Sequence, residues 1–130
     1  MHATALWGAL LAPVCLWLSL RVIGLRRRKH VPLGSGGDAT LERAIRAQGN
    51  FAEYVPFALV LMALGEAGGA PVAAVHLAGA LLLAGRVAHG AGIARDREDF
   101  RFRVGGMAGT FLAIIVAALG ALFAGLRGWV

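Results

Sequence analysis

The chain has 130 residues, of which 58% are hydrophobic and only 15% are charged, a composition outside the range of ordinary soluble domains. The formal net charge is +6, but the arginines lie between apolar runs rather than on a soluble face, so we expect no nucleic-acid partner. A single cysteine, Cys15, excludes an intramolecular disulfide framework, and the histidines show no metal-ligand spacing, so we expect no metal site.

The first predicted element is a transmembrane helix over about residues 3–26. Residues 3–20 contain no charged side chain over 18 positions, and a basic cluster follows at Arg21 and at 26–29. A cleaved signal peptide carries its basic residues before the apolar core, so this order indicates a retained span. The glycine-rich segment 31–38 then predicts a turn that leads into the second helix.

The second predicted helix, about residues 40–64, is the difficult one, because it contains Glu42, Arg43, Arg46 and Glu53 and a hydropathy window alone could reject it. Charge bias nevertheless favours a span. If the second helix did not cross the membrane, the basic groups after the first helix and those at 95–103 would lie on opposite sides of the membrane. With four spans both basic loops face the cytoplasm, as the positive-inside rule requires.

Two further apolar runs predict helices over about residues 71–94 and 103–126. The chain is therefore predicted to be a single-domain, all-α membrane protein, residues 1–130, folded as a four-transmembrane-helix bundle with both termini outside the cytoplasm. Trp7, Trp17 and Trp129 are expected as interfacial or lipid-facing aromatics. Small residues at every fourth position predict close packing of the third and fourth helices, at Ala80, Ala84, Ala88, Gly92, Gly105 and Gly109.

The second helix carries a polar stripe. At about 100° per residue, one arc of the helix holds Glu42, Arg46, Gly49, Asn50 and Glu53. Charged groups inside a bilayer cost several kcal/mol unless they are paired or wetted. Two interpretations remain open: an internal ion-pair ladder, with Glu42 against Arg46, or a functional site that faces a partner or a cavity.

The other helices add positive charge at the same end of the bundle. Arg86 and His89 lie three residues apart on one face of the third helix, Arg103 opens the fourth helix and Arg21 closes the first. Arginine binds carboxylates bidentately and stays charged, so this surplus predicts an anionic ligand. A small dicarboxylate and a lipid headgroup both fit.

The segment 41–56 (LERAIRAQGNFAEYVP) resembles the helix 2 signature of the MAPEG family, the membrane-associated proteins in eicosanoid and glutathione metabolism. The resemblance continues through residues 86–89 and 103–107 and is greatest to short bacterial members. It implies a homotrimer of four-helix protomers in the bacterial inner membrane. It also implies that glutathione binds as cosubstrate between neighbouring subunits near the cytoplasmic side.

The same resemblance implies which residues bind glutathione. Arg21 is similar to a helix 1 arginine that approaches a glutathione carboxylate, and the helix 3 pair matches a pair in the family. The implied glutathione-binding residues are Arg21, Arg46, Asn50, Glu53, Arg86 and His89.

Arg103 is the candidate catalytic residue by resemblance, with Arg101 as the alternative register. Its implied role is to stabilise the glutathione thiolate. A thiol with a reference pKa of about 8.5 is mostly protonated at neutral pH, so a cation aimed at the sulfur raises the nucleophilic fraction.

The sequence also departs from the family pattern. Where catalytic eicosanoid members have a tyrosine after the helix 3 histidine, this chain has Ile93, and its only tyrosine is Tyr54. The first hydroxyl after Arg103 is Thr110, nearly two turns on. Glutathione binding is therefore favoured over turnover.

Two functions from different classes follow. The first is a glutathione transferase or peroxidase that acts on hydrophobic small molecules from the bilayer. The alternative is a non-catalytic scaffold that binds membrane lipids or glutathione. A transporter or channel is less favoured, because the protomer has no obvious internal repeat.

Overall fold

A computed structural model of the protein describes residues 1–94 and 100–128. It contains four helices, namely α1 (His2–Lys29), α2 (Ala39–Ala67), α3 (Val72–Ala94) and α4 (Phe100–Arg127). No strand occurs in these residues, so the predicted all-α class is confirmed. The expectations for the basic loop at 95–99 and for Trp129 fall outside the described residues.

Three of the helices, α1, α3 and α4, are long and apolar enough to cross a membrane. The charged residues of α2 keep it out of that group, as the sequence anticipated. This helix nevertheless has 29 residues, about 43 Å, and packs against all three of the others. The chain is therefore a four-helix membrane bundle.

The position of α2 in the bundle follows from its two faces. Its buried positions recur every three or four residues and form one apolar stripe: Leu41, Ala44, Ala47, Phe51, Val55, Ala58, Met62 and Gly65. Within the described residues α1 and α4 do not touch, so α2 and α3 fill the space between them. The opposite face of α2, which carries the charged stripe, points out of the protomer.

Two tryptophans pack onto glycines of α3. A Cβ on Gly79 would lie 2.1 Å from Trp7 Cγ, and a Cβ on Gly90 would lie 2.7 Å from Trp17 Cζ3. Trp7 also donates from Nε1 to Nδ1 of His76 over 3.1 Å. These rings therefore help to fix α1 against α3, beyond the interfacial role expected from the sequence.

The turn between α1 and α2 is held by side chains. Asp38 caps α2 by accepting a hydrogen bond from the backbone N–H of Leu41 over 2.8 Å, and it is paired with Lys29. Arg26 donates to the carbonyl oxygen of Gly34 over 2.8 Å. This end of the bundle, which also carries Arg21 and Arg103, is called the arginine-rich end below.

At the opposite end, Glu66 of α2 caps the first turn of α1. Its carboxylate accepts the backbone N–H groups of Ala3 and Thr4 over 2.9 Å each, and the Thr4 hydroxyl over 2.7 Å. The first N–H groups of a helix have no partner within it, so this contact fixes α1 against α2.

The helices α3 and α4 approach each other closely at two glycines. A Cβ on Gly85 would lie 2.8 Å from the carbonyl oxygen of Gly106, and a Cβ on Gly106 would lie 2.6 Å from that of Gly85. Small residues do bring the two helices together, but not all of the predicted ones. Gly105 and Ala84 are exposed.

Candidate functional site

The candidate site is built around a buried cation on α3. Arg86 is only 1% exposed, although arginine is almost never fully buried without a partner. It lies one turn beyond Leu82, in the half of α3 nearest the arginine-rich end. The close contact of Gly85 with α4 leaves the neighbouring Arg86 side chain directed between α2 and α4.

The guanidinium of Arg86 meets only uncharged acceptors within the described residues. Nη1 donates to the carbonyl oxygen of Asn50 over 3.4 Å. Nη2 donates to the carbonyl oxygen of Gly106 over 3.4 Å and to Met107 Sδ over 3.2 Å. Nε is buried and has no hydrogen-bond partner among residues 1–94 and 100–128. Among the described residues, this buried positive charge therefore has long contacts, one donor without a partner and no carboxylate beside it.

His89 lies one turn further along α3 and links α2 to α4. It is 2% exposed; its Nδ1 lies 3.3 Å from the carbonyl oxygen of Arg103, and its Nε2 lies 3.1 Å from Asn50 Nδ2. A carbonyl oxygen can only accept, so Nδ1 carries the proton and Nε2 accepts from the amide of Asn50. The structure thus brings Asn50, Arg86 and His89 together.

Arg46 and Glu53 lie on either side of Asn50 along α2, and both are exposed on the outer face of the protomer. The alternative of an ion-pair ladder is not supported, because Glu42 and Arg46 form no ion pair with each other. The charged stripe is therefore an outward-facing surface, next to the buried Arg86 and His89.

Arg103 lies at the start of α4, where its backbone and its side chain contact different residues. Its carbonyl oxygen binds His89, whereas its guanidinium lies 5.8 Å from the centroid of the Phe100 ring. It also lines an apolar groove of about 380 Å³ along α4 with Met107 and Phe111. Arg101 does not line this groove.

The hydroxyl groups near the cluster are few. Thr110 is fully buried and donates to the carbonyl oxygen of Gly106 over 2.9 Å, so its proton is already engaged. Tyr54 is half-buried and packs edge-on against Phe111, with 5.6 Å between ring centroids. Ile93 is buried in the core at 4% exposure.

Arg21 is the predicted site residue that lies apart from the others in the protomer. It is half-buried on α1 and lines a separate groove with Arg28 and Thr40. Because α1 and α4 have no contact in the described part of the chain, the structure does not bring Arg21 and Arg103 together.

Two partners of Arg86 were not predicted from the sequence as site groups. The carbonyl oxygen of Gly106 and the sulfur of Met107 both lie inside the 103–107 segment that resembles the family, but backbone acceptors and thioethers give no charge signal. No group of three or more metal-ligating side chains occurs among the described residues.

Comparison with known proteins agrees with this architecture. A sequence model of the MAPEG family matches residues 4–123. Two relatives carry the name inner membrane protein YecN, one from Escherichia coli strain K12 and one from Escherichia coli O6:H1 strain CFT073. Each is 39% identical to this chain over 120 residues, which is 92% of this chain and 90% of the relative.

Proposed function

The chain belongs to the MAPEG family, and we propose that it binds glutathione within the membrane and presents the thiol to hydrophobic electrophiles. The single observation that carries the proposal is Arg86, a buried guanidinium with no carboxylate beside it in the described residues. Such a charge is costly without an anion, so it favours an anionic ligand that is absent from the free protein.

Glutathione matches the charges of the site. It has two carboxylates and one ammonium group, and the outer face of α2 offers Arg46 for a carboxylate and Glu53 for the ammonium. Asn50 lies between these two residues and has amide groups that can hydrogen-bond a peptide backbone. Arg86 supports the site from behind by adding positive charge, and His89 does so by orienting Asn50.

Arg103 is the proposed thiolate-stabilising residue. It lies on the edge of the α4 groove, where a thiol bound near Asn50 would meet an apolar molecule that enters from lipid. A nearby guanidinium lowers the pKa of a thiol, whose proton passes to solvent; the thiolate then forms a carbon–sulfur bond with an electrophilic carbon as that carbon loses its leaving group, such as the halide of an aryl halide. Arg101 does not line the groove, which favours Arg103 for this role.

A homotrimer in the inner membrane completes the proposal. The relatives are named as inner membrane proteins, and the charged face of α2 cannot face lipid without a large cost. A neighbouring protomer that covers this face would also bring its own Arg21 towards the bound glutathione.

Calorimetry on detergent-purified protein tests the binding. We expect wild type to bind glutathione, and Arg46→Ala and Asn50→Ala each to bind about tenfold or more weakly, since a hydrogen bond to a charged group contributes about 1.5–3 kcal/mol. Arg27→Ala is the matched control, because it removes an exposed arginine at the same end of the bundle. Absence of binding by wild type, or equal loss in the control, would contradict the proposal.

A second candidate, a non-catalytic scaffold, is favoured by the hydroxyl groups: Thr110 is engaged with Gly106, and Ile93 stands where a tyrosine is found in catalytic members. Turnover of glutathione with an aryl halide separates the two functions. The enzyme predicts turnover that falls at least tenfold in Arg103→Ala with glutathione binding retained. The scaffold predicts binding without turnover in wild type.

A further inference from the structure

Met107 contacts both the buried cation of the candidate site and the apolar groove along α4. Its sulfur accepts a hydrogen bond from Arg86 Nη2 over 3.2 Å. Its side chain also lines the α4 groove, which has a volume of about 380 Å³ and opens on the surface of the protomer. A molecule that binds in the groove can therefore act on Arg86 through Met107, without touching the guanidinium itself.

The α4 groove has a phenyl ring near each end. Phe100 and Phe111 both line it, and both are exposed. Their spacing along the sequence places them on one face of α4, about 16 Å apart along the helix axis. Tyr54 of α2 packs edge-on against Phe111, with 5.6 Å between ring centroids, and so supports that ring from behind. Aromatic rings pack favourably against one another, so the groove favours an aromatic molecule over a lipid acyl chain.

The hydrogen bond between Arg86 and Met107 is one that an aromatic molecule can break. A thioether sulfur is a weak acceptor, and the methionine side chain has three rotatable bonds and adapts to its surroundings. Sulfur also packs favourably against the edges of aromatic rings. An aromatic molecule in the groove therefore competes with Arg86 for the sulfur of Met107, whereas an alkyl chain of similar size does not.

Loss of this hydrogen bond changes what Arg86 gains from an anion. Its other hydrogen bonds within the described residues go to the carbonyl oxygens of Asn50 and Gly106 and are both 3.4 Å long, and Nε has no hydrogen-bond partner there. A buried donor without a partner is costly, and a bond from a cation to an anion is stronger than one to a neutral acceptor. The guanidinium therefore favours a nearby carboxylate more strongly once the sulfur of Met107 has moved away.

We propose that an aromatic molecule bound in the α4 groove draws the Met107 sulfur away from Arg86 and thereby tightens the binding of glutathione. This inference rests on the proposed function and adds a coupling between its two substrates. Met107 acts through Arg86 and is therefore a positioning residue. Coupling between two binding sites is reciprocal, so glutathione also tightens the binding of the aromatic molecule, by the same factor.

Calorimetry of glutathione binding to the protein in lipid nanodiscs, with and without hexylbenzene, tests the coupling. Hexylbenzene has an aromatic ring but no electrophilic carbon or leaving group, so it does not react with the thiol. We expect wild type to bind glutathione about fivefold more tightly in its presence, at the low end of measured couplings because one weak hydrogen bond carries the effect. Wild type that binds no glutathione under either condition would contradict the proposed function, and this inference with it. Equal binding under both conditions would overturn this inference alone.

Met107→Leu removes the sulfur and keeps an apolar side chain of similar size. Its Arg86 has no sulfur to lose, so this variant should bind glutathione equally tightly with and without hexylbenzene. In both conditions its affinity should be close to that of wild type with hexylbenzene. A fivefold effect of hexylbenzene that persists in Met107→Leu would overturn the proposal, as would an affinity that stays at the level of wild type without hexylbenzene.

Two controls separate the sulfur from the rest of the groove. Val104 lines the same groove, so Val104→Ala alters the groove wall but leaves the sulfur in place, and saturating hexylbenzene should still tighten glutathione binding about fivefold. Dodecane, which has as many carbon atoms as hexylbenzene but no ring, should have little effect on wild type. If Val104→Ala loses the coupling as completely as Met107→Leu, or if dodecane acts like hexylbenzene, filling of the groove and not the sulfur of Met107 produces the effect, and the proposal is wrong.

Discussion

Arg86 lies at the centre of the site, and its hydrogen bonds within the described residues all go to uncharged acceptors. The two bonds to carbonyl oxygens are 3.4 Å long, beyond the usual range, and Nε has no hydrogen-bond partner in the described part of the chain. Such contacts recover only part of the cost of removing a guanidinium from water. We therefore expect Arg86 to contribute little to the stability of the free protein and to act mainly in the proposed binding of glutathione.

This reasoning predicts that Arg86→Met separates stability from binding. Replacing a buried ionic group by an apolar one of similar length is often neutral or stabilising, so the free energy of unfolding should stay within about 1 kcal/mol of wild type or rise. Glutathione should no longer bind. Thermal unfolding in detergent with and without glutathione measures both effects.

Leu82→Ala is the control for Arg86→Met, because Leu82 is fully buried one turn earlier on the same helix. It should destabilise the protein by about 2–5 kcal/mol through lost burial and a cavity. If Arg86→Met destabilises the protein as much as Leu82→Ala does, the guanidinium is a structural group and its proposed role in binding an anion is wrong.

The sequence positions of three polar residues were enough to predict part of the site. The spacing of Asn50, Arg86 and His89 indicated that they lie at one end of the bundle, and the structure brings them into contact. The carbonyl oxygen of Gly106 and the sulfur of Met107 could not be predicted, because their positions depend on the rotation of α4 against α3. No residue type reveals that rotation.

At the scale of the helices, the rotation of α3 against α4 is fixed by Gly85 and Gly106. Each lies where a Cβ would overlap the backbone of the other helix, at 2.8 and 2.6 Å respectively. Small residues at such positions allow membrane helices to approach closely. The same contact sets the distance from Arg86 to the Gly106 carbonyl oxygen, so helix packing and site geometry are coupled.

We therefore predict that Gly106→Ala and Gly105→Ala differ sharply. In Gly106→Ala the new methyl group would meet the backbone of Gly85 and His89, so α4 must move, at a cost of about 1–3 kcal/mol. In Gly105→Ala no atom of the described residues lies within 4 Å of the new Cβ, and stability should be unchanged or slightly higher. Thermal unfolding and glutathione calorimetry on both variants check this.

Equal behaviour of Gly106→Ala and Gly105→Ala would show that the α3–α4 contact does not control the site. The sequence indicated that glycines bring these helices together but favoured Gly105 and Gly109. Gly109 does contact Gly85, whereas Gly105 is exposed. A repeat of small residues predicts which two helices approach each other. Where several glycines are adjacent, however, the sequence does not say which one lies in the contact, and each choice rotates the helix about its axis by about 100° per residue.

At the scale of the whole molecule, the prediction that α2 spans the membrane came from the distribution of basic residues along the chain and not from the hydropathy of α2 itself. Its charged side chains fail a hydropathy criterion that α1, α3 and α4 pass. The distribution of basic residues over the whole chain required a fourth crossing, and the bundle packs α2 against every other helix. The orientation of the termini stays a prediction.

The outward charged face of α2 is the feature that one protomer does not explain. Arg46 and Glu53 are exposed, and along the same face Val60 is 55% exposed. Charged side chains at this depth cost several kcal/mol each against lipid. A closed oligomer would cover the same patch on every subunit and remove that cost.

We therefore predict a trimer that assembles through this face of α2, visible in native mass spectra as three times the mass of one chain. Val60 lies seven residues after Glu53 and thus on the same face, so Val60→Trp should reduce the trimeric fraction by steric overlap. Leu16→Trp is the control, because Leu16 is 62% exposed on α1 and should face lipid, where a larger apolar side chain is tolerated. A monomeric wild type in mild detergent, or equal loss of trimer in both variants, would mean that the charges of α2 are covered in another way.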